Sequence, residues 1–365
     1  MTSHTPETVS GASIAVGRWL LICGAMVAVM VVLGGATRLT ESGLSIVDWR
    51  PVTGILPPFS AADWQALFDA YKHSPEFQKA NFWMSLADFK TIYWLEYLHR
   101  LWGRLIGVVF VVPFIWFASH RQISPGFALH LCGIFVLGAL QGLMGWYMVK
   151  SGLVDRPSVS QYRLAAHLVL AFIIYGYLVW LALRCLRPVA ARPQKTAITF
   201  RTHAVVLCVL ALITVTAGAF VAGIDAGLAY NTFPLMDGRW VPDGVLRLTP
   251  RWINFFENTA TVQFTHRTLG ISLLVLTLWL WLRVRTKGSV TRARRLVELL
   301  AAMVSAQAAL GVATLLNEVP VGLGILHQTG ALAVFTVAIW VVYELDADSS
   351  ARAETRRPNN AAPSK

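Results

Sequence analysis

The sequence predicts an all-α membrane protein, with eight transmembrane helices arranged as two pseudo-symmetric four-helix bundles. Three observations carry this expectation. The 365-residue chain is 56% hydrophobic and only 14% charged, against about 25% charged in soluble domains. Apolar runs of about 20 residues recur along it, each long enough to cross a bilayer. Polar residues set inside those runs repeat between the first four runs and the last four.

The spans are expected at 17–36, 96–118, 126–148, 163–184, 203–223, 262–283, 296–316 and 323–344. The tail 1–16 carries Glu7 and lacks the Arg-rich amphipathic pattern of a mitochondrial transit peptide. The first run is long enough to stay as a span, and no small-residue cleavage site follows it. The loop near Arg121 and the stretches from Arg184 to Arg201 and from Arg283 to Arg295 are rich in Arg and Lys with almost no acid. The C-terminal tail adds Arg352, Arg356, Arg357 and Lys365. Basic loops stay on the cytoplasmic side, so both termini are expected there, with loops 37–95 and 224–261 outside. This placement accounts for the net charge of +12 without a nucleic-acid partner.

Loop 37–95 is rich in aromatic residues, among them Trp49, Trp64, Phe68, Tyr71, Phe82 and Trp83. It reads as a cap with short helices at 61–72 and 74–89, either a plain interfacial belt or a substrate lid. Cys23, Cys132, Cys185 and Cys208 fall in or beside spans, form no CxxC pair, and read as packing residues. The expected domain plan is a tail 1–16, an N-terminal half 17–184, a basic linker 185–202, a C-terminal half 203–345 and a disordered tail 346–365.

The halves repeat in their polar residues. His99 and His266 open spans two and six, with nearly the same offset as His167 and His327 in spans four and eight. Gln141-Gly142 is matched by Gln307 and Gly311, and Gly43-Leu44 by Gly227-Leu228. An even number of spans per half keeps both copies in one orientation, so the repeat axis lies along the membrane normal. Of the nine histidines, His4, His73, His120, His130 and His203 have ordinary tail, loop or interfacial explanations. The other four lie near the outer ends of even-numbered spans, in two symmetric pairs. Ionisable groups at membrane depth are costly and mark function. Two imidazoles from facing helices suit the axial positions of haem. Zinc would want more N, S or carboxylate ligands nearby, and copper more often brings Cys or Met. The pairs are His99 with His167 and His266 with His327. Arg100, Arg163 and Arg267 sit near the rim, placed either to hold haem propionates or to snorkel to headgroups.

Five stretches then carry a resemblance: GGATRLTESGLSIVDWRPVTGILPP (34–58), EYLHRLWGRLIG (96–107), QGLMGWYMVKSGL (141–153), AGLAYNTFPLMDG (226–238) and NFFENTATVQFTHR (254–267). Over roughly 17–345 the chain resembles the haem A synthase family of cytochrome oxidase assembly, in its proteobacterial and mitochondrial branch. The resemblance implies oxidation of the C8 methyl of haem O to a formyl group, giving haem A. It implies haem b as cofactor in the C-terminal half, held by His266 and His327, and the substrate haem in the N-terminal half, held by His99 and His167. It implies a multi-pass protein of the bacterial inner membrane. The implied partners are haem O, haem A, the haem O synthase (protohaem farnesyltransferase) and an electron-transfer protein, with a homo-oligomer left open. Some members carry a cysteine pair in the outer loops; this chain has none there.

The alternative reading is a membrane cytochrome b electron-transfer subunit. Such a wire needs ligands near both faces, whereas all four histidines fall on the outer side. A pure haem carrier, the third reading, gives no reason for the halves to differ. They do differ: Glu96 stands three residues before His99, and Gln263 three before His266. An i, i+3 spacing puts each pair on one helix face. The half with the titratable group is expected to do the chemistry, so Glu96 is the catalytic candidate. Burial among apolar side chains would let it hold or release a proton in turnover. The competing role is a structural ion pair with Arg100. Two routes stay open for the oxygen atom: one axial histidine leaves, or water attacks an oxidised methyl with Glu96 guiding it or stabilising a cation.

Overall fold

The structure, a computed structural model, describes residues 12–49, 53–152, 158–187, 197–286 and 291–355. Among them the regular elements are all helical. In chain order they are α1 (Ile14–Leu39), α2 (Ala61–Lys72), α3 (Pro75–Lys79), α4 (Leu86–Ser119), α5 (Pro125–Gly152), α6 (Gln161–Leu186), α7 (Ala197–Gly223), α8 (Asn254–Glu257), α9 (Thr259–Thr286), α10 (Thr291–Leu316) and α11 (Val321–Thr355). Eight of these, α1, α4 to α7 and α9 to α11, are long and apolar enough to cross a membrane. A helix satisfies its own backbone, which lipid cannot do. The exposed faces carry residues that suit lipid, such as Leu105, Val108, Val112 and Ile115 on α4.

Each half closes as a ring of four helices. In the first, α1 packs on α4 and α6, and α5 bridges α4 to α6. In the second, α7 packs on α9 and α11, and α10 bridges α9 to α11. Helices α1, α4, α5 and α6 thus correspond to α7, α9, α10 and α11. Between the halves, α1 touches α11, α6 touches α7, and α6 touches α11. That pattern is consistent with a pseudo-two-fold axis running beside α6 and α11. Tyr175 bonds Thr336 at 2.7 Å across this seam, and Phe172 stacks near Phe335 at 5.6 Å.

The two ends of the molecule differ. At one end Ala12 pairs with Ile123, and Glu344 binds both Arg187 (3.0 Å) and Arg292 (3.1 Å). At the other end lie α2, α3, α8 and the loops around them. There Arg38 reaches from α1 to the Ala222 carbonyl (2.6 Å) and Asp225 (2.9 Å), tying one half to the other.

The cap differs from expectation in one respect. Helix α2 starts where a Ser60–Asp63 capping box predicts. The helix expected at 74–89 is two separate pieces. Helix α3 ends at Lys79, and α4 begins at Leu86, well before the expected start at 96, behind a second capping box of Ser85 and Asp88. The early start lifts Phe89 and Tyr93 of α4 into the cap, where they join Trp64, Phe68 and Tyr71 of α2 in a buried aromatic cluster. At the far end, α11 stays helical to Thr355, inside the tail expected to be disordered from 346. His4, residues 356–365 and half of the basic linker, 188–196, lie outside the described residues. The four cysteines are free and sit on α1, α5, α6 and α7.

Candidate functional site

The four singled-out histidines project from α4, α6, α9 and α11 toward the loop-rich end. The second half shows the tighter arrangement. The rings of His266 and His327 have centroids 6.3 Å apart with planes at 86°. Two imidazoles bound to one iron at metal–nitrogen distances of about 2 Å place their ring centres roughly 6 Å apart. His266 directs Nδ1 at the Thr214 carbonyl of α7 (3.1 Å). Metal-binding imidazoles usually make this bond with the nitrogen that does not bind the metal. Gln307 of α10 bonds both Nδ1 (3.1 Å) and the backbone carbonyl (2.7 Å) of His327. Nε2 of each ring has no protein partner among the described residues; at His266, whose Nδ1 donates to a carbonyl, it is the unprotonated nitrogen, whereas at His327 Nδ1 accepts from Gln307 and the neutral ring carries its proton on Nε2. Among the described residues no third His, Cys, Asp or Glu joins either pair. The pair fits haem.

Each histidine rests on a glycine of the neighbouring helix. A Cβ added at Gly218 would come within 2.9 Å of the His266 ring, and one at Gly311 within 2.8 Å of His327. In the first half the corresponding distances are 3.2 Å for Gly145 under His167 and 3.4 Å for Gly34 under His99. Rings in the second half thus leave no room for a side chain beneath them, and those in the first half leave almost none. Helices α4 and α5 pack far more loosely than α9 and α10. Gln141 clasps His167 as Gln307 clasps His327, bonding its backbone carbonyl at 3.0 Å. Here, however, the amide meets Nε2 (3.4 Å), and Nδ1 is buried without a partner. His99 is near enough to His167 for a charge on one to act on the other.

The COX15-CtaA family model, described as a cytochrome oxidase assembly protein, matches residues 17–339. Similar relatives include "Heme A synthase" of Nitrosospira multiformis, 50% identical over 90% of this chain and 92% of its own. That of Rhodospirillum centenum is 49% identical over 96% and 93% of the two chains. That of Paramagnetospirillum magneticum is 48% identical over 93% and 96%. The chain belongs to this family.

Within the family frame, the glutamate that sets the halves apart is held by three donors. Glu96 is 2% exposed. Its Oε2 accepts from the Ser45 hydroxyl (2.7 Å) and the Ile46 amide (2.8 Å), and its Oε1 from Arg100 (2.5 Å). The ion pair with Arg100 weighed from the sequence is present. Both lone pairs of Oε2 are occupied, while Oε1 keeps one. In the second half Gln263 donates to the Tyr230 carbonyl (3.2 Å), and its Oε1 is buried without a partner.

The arginines hold the outer loops. Arg100 donates to the carbonyls of Ile46 (2.9 Å) and Asp48 (3.4 Å), and Arg267 to those of Tyr230 (2.6 Å) and Thr232 (2.8 Å). The two loops are thus pinned alike in the two halves. Arg267 keeps Nε buried with no protein partner among the described residues. Arg163 donates to the Tyr147 carbonyl (2.7 Å) and lies 3.6 Å above that ring. Three of the other histidines have local tasks. His130 bonds Tyr177 (2.6 Å), His120 bonds the Trp116 carbonyl (2.8 Å), and His203 packs on Trp279. The sequence reading missed the glycine under each ring. It paired Gly311 with Gly142, which faces open space; the true counterpart is Gly145, one turn after Gln141 as Gly311 is one turn after Gln307.

Proposed function

We propose that this chain is a haem A synthase: it oxidises the C8 methyl of haem O through an alcohol to a geminal diol, which loses water to give the formyl group of haem A. The observation that carries the reading is the pairing of two like histidine sites with a glutamate in only one of them. In this account His99 and His167 hold the substrate haem within 17–184. His266 and His327 hold haem b within 203–345. The looser α4–α5 packing of the first half suits a substrate that enters and leaves.

Haem b, when bound, supplies one-electron redox chemistry. The protein's residues do the rest. Thr214 and Gln307 fix the orientation of the cofactor histidines. Glu96, anchored by Ser45, Ile46 and Arg100, takes a proton from water at the edge of the substrate haem through the free lone pair of Oε1. The position of all four histidines toward one end favours this reading over a transmembrane electron wire. The protein lies in the bacterial inner membrane, with the end carrying Arg187 and Arg292 in the cytoplasm and the capped end outside. Haem O arrives from its farnesyltransferase, and electrons pass to or from a separate protein.

The test is to incubate the purified protein with haem O and extract the pigments. Haem A, together with an alcohol intermediate at short times, is expected. Haem O recovered unchanged in the presence of either an electron acceptor or a donor with oxygen would overturn the proposal.

A further inference from the structure

The outer cap of the first half buries a carboxyl that the reaction as derived does not use. Glu76 of α3 is 4% exposed. Its Oε2 accepts from the Tyr71 hydroxyl at 2.9 Å. That hydroxyl in turn accepts from Asn81 Nδ2 at 2.9 Å, so its own proton points at Glu76. Tyr71 is fully buried, stacked on Phe89 at the top of α4 with centroids 5.2 Å apart. Buried carboxylates are usually met by a cation, as Glu96 is by Arg100; Glu76 is met by a phenol.

The second half again supplies the contrast. Its outer loop has the acids Asp225, Asp237, Asp243 and Glu257, all exposed. The polar side chain buried at its centre is Asn254, a neutral amide bonded to the backbone of Leu248 and Arg251. A buried acid therefore stands over the half that has Glu96, and a buried amide over the half that has Gln263. The titratable and charged groups that bear on Glu76 are Tyr71 from α2, Glu96 from α4 and Glu41 from the loop after α1. Burial pushes Glu76 up to about 7; the Tyr71 hydrogen bond opposes this, and the charges of Glu96 and Glu41 add to it. Glu76 thus changes charge near neutral pH, where a proton-exchanging group works best.

We propose that Glu76 is the proton outlet of the oxidation site, taking protons that Glu96 releases and passing them to the outer solvent. The step moves protons alone: the carboxylic acid of Glu96 becomes a carboxylate, Glu76 becomes the acid, and Glu76 then gives its proton to water outside. Glu76 is a relay and positioning residue, not one that touches substrate. The proposal rests on the reading of the first half as the site of oxidation.

The test uses the full-length purified protein and haem O, with conversion rates taken from about pH 5 to pH 9. Glu76 accepts protons only when ionised, so the parent rate should rise with pH through about 7. Glu76→Gln should keep haem b and haem O binding, lose this rise, and convert at pH 8 about tenfold or more slowly. Tyr71→Phe removes the bond that favours ionised Glu76, so its rise should move to higher pH, a shift that a merely structural role would not produce. A Glu76→Gln protein with the parent's rate and profile, or a Tyr71→Phe profile that does not move, overturns the relay. Should Glu76→Gln fail to accumulate, the Tyr71→Phe profile decides. A parent that converts no haem O at any pH overturns the oxidation reading as well, whereas conversion with an unmoved profile overturns the relay alone.

Discussion

Replacing His266 or His327 with Ala should leave a protein that inserts into the membrane and accumulates but carries little haem b. Both rings lie at the spacing one iron requires, 6.3 Å between centroids. Each is aimed by a neighbour, His266 by the Thr214 carbonyl and His327 by Gln307. Removing an outer partner of a metal ligand typically costs about 10–100-fold in affinity. Removing the ligand itself should cost more. The bis-imidazole absorption spectrum of the purified protein reads the result. Haem b that persists in both variants but vanishes in His99→Ala would show that the halves are reversed.

Glu96→Gln should reduce haem A formation by about 10²–10⁴-fold, the range for loss of a general base, or stall the reaction at the alcohol. The objection is that Glu96 and Arg100 form a buried pair, with side chains 3% and 12% exposed. Removing one partner of such a pair commonly costs about 3–5 kcal/mol. The second half shows how that cost is reduced. Arg267 stands beside Gln263, is held by three loop carbonyls, and has a carboxylate, Asp237, acting on it only through its charge. Arg100 already donates to the matching carbonyls of Ile46 and Asp48. Glu96→Gln therefore gives the first half the arrangement that the second adopts stably. Protein yield and haem b content should stay near those of the parent while conversion falls. Conversion at the parent rate per molecule would remove Glu96 from the chemistry and leave it as a loop anchor.

The helices and the four histidines were legible in the sequence because each depends on local pattern. Long apolar runs fix spans whatever surrounds them, and an internal repeat reveals paired histidines without a structure. The early start of α4 was also written locally, in the Ser85–Asp88 capping box, but the polar cap segment hid it behind the hydropathy boundary near 96. What the sequence could not show depends on residues far apart in the chain. Ser45 and Ile46 reach Glu96 only because the loop folds back over α4. Gly34 and Gly218 matter only because a neighbouring helix brings an imidazole onto them. Arg100 and Arg267 sit at the rim as expected, yet their donors turn to loop carbonyls. Glu76 looks like an ordinary helix-start acid until Tyr71 closes over it.

The most direct test of the division of labour between the halves is pigment extraction from His99→Ala and His167→Ala proteins incubated with haem O beside the parent. Both variants should retain parent levels of haem b while producing no haem A. Normal haem A output with either histidine absent, or loss of haem b together with product, would contradict the assignment of substrate to His99 and His167.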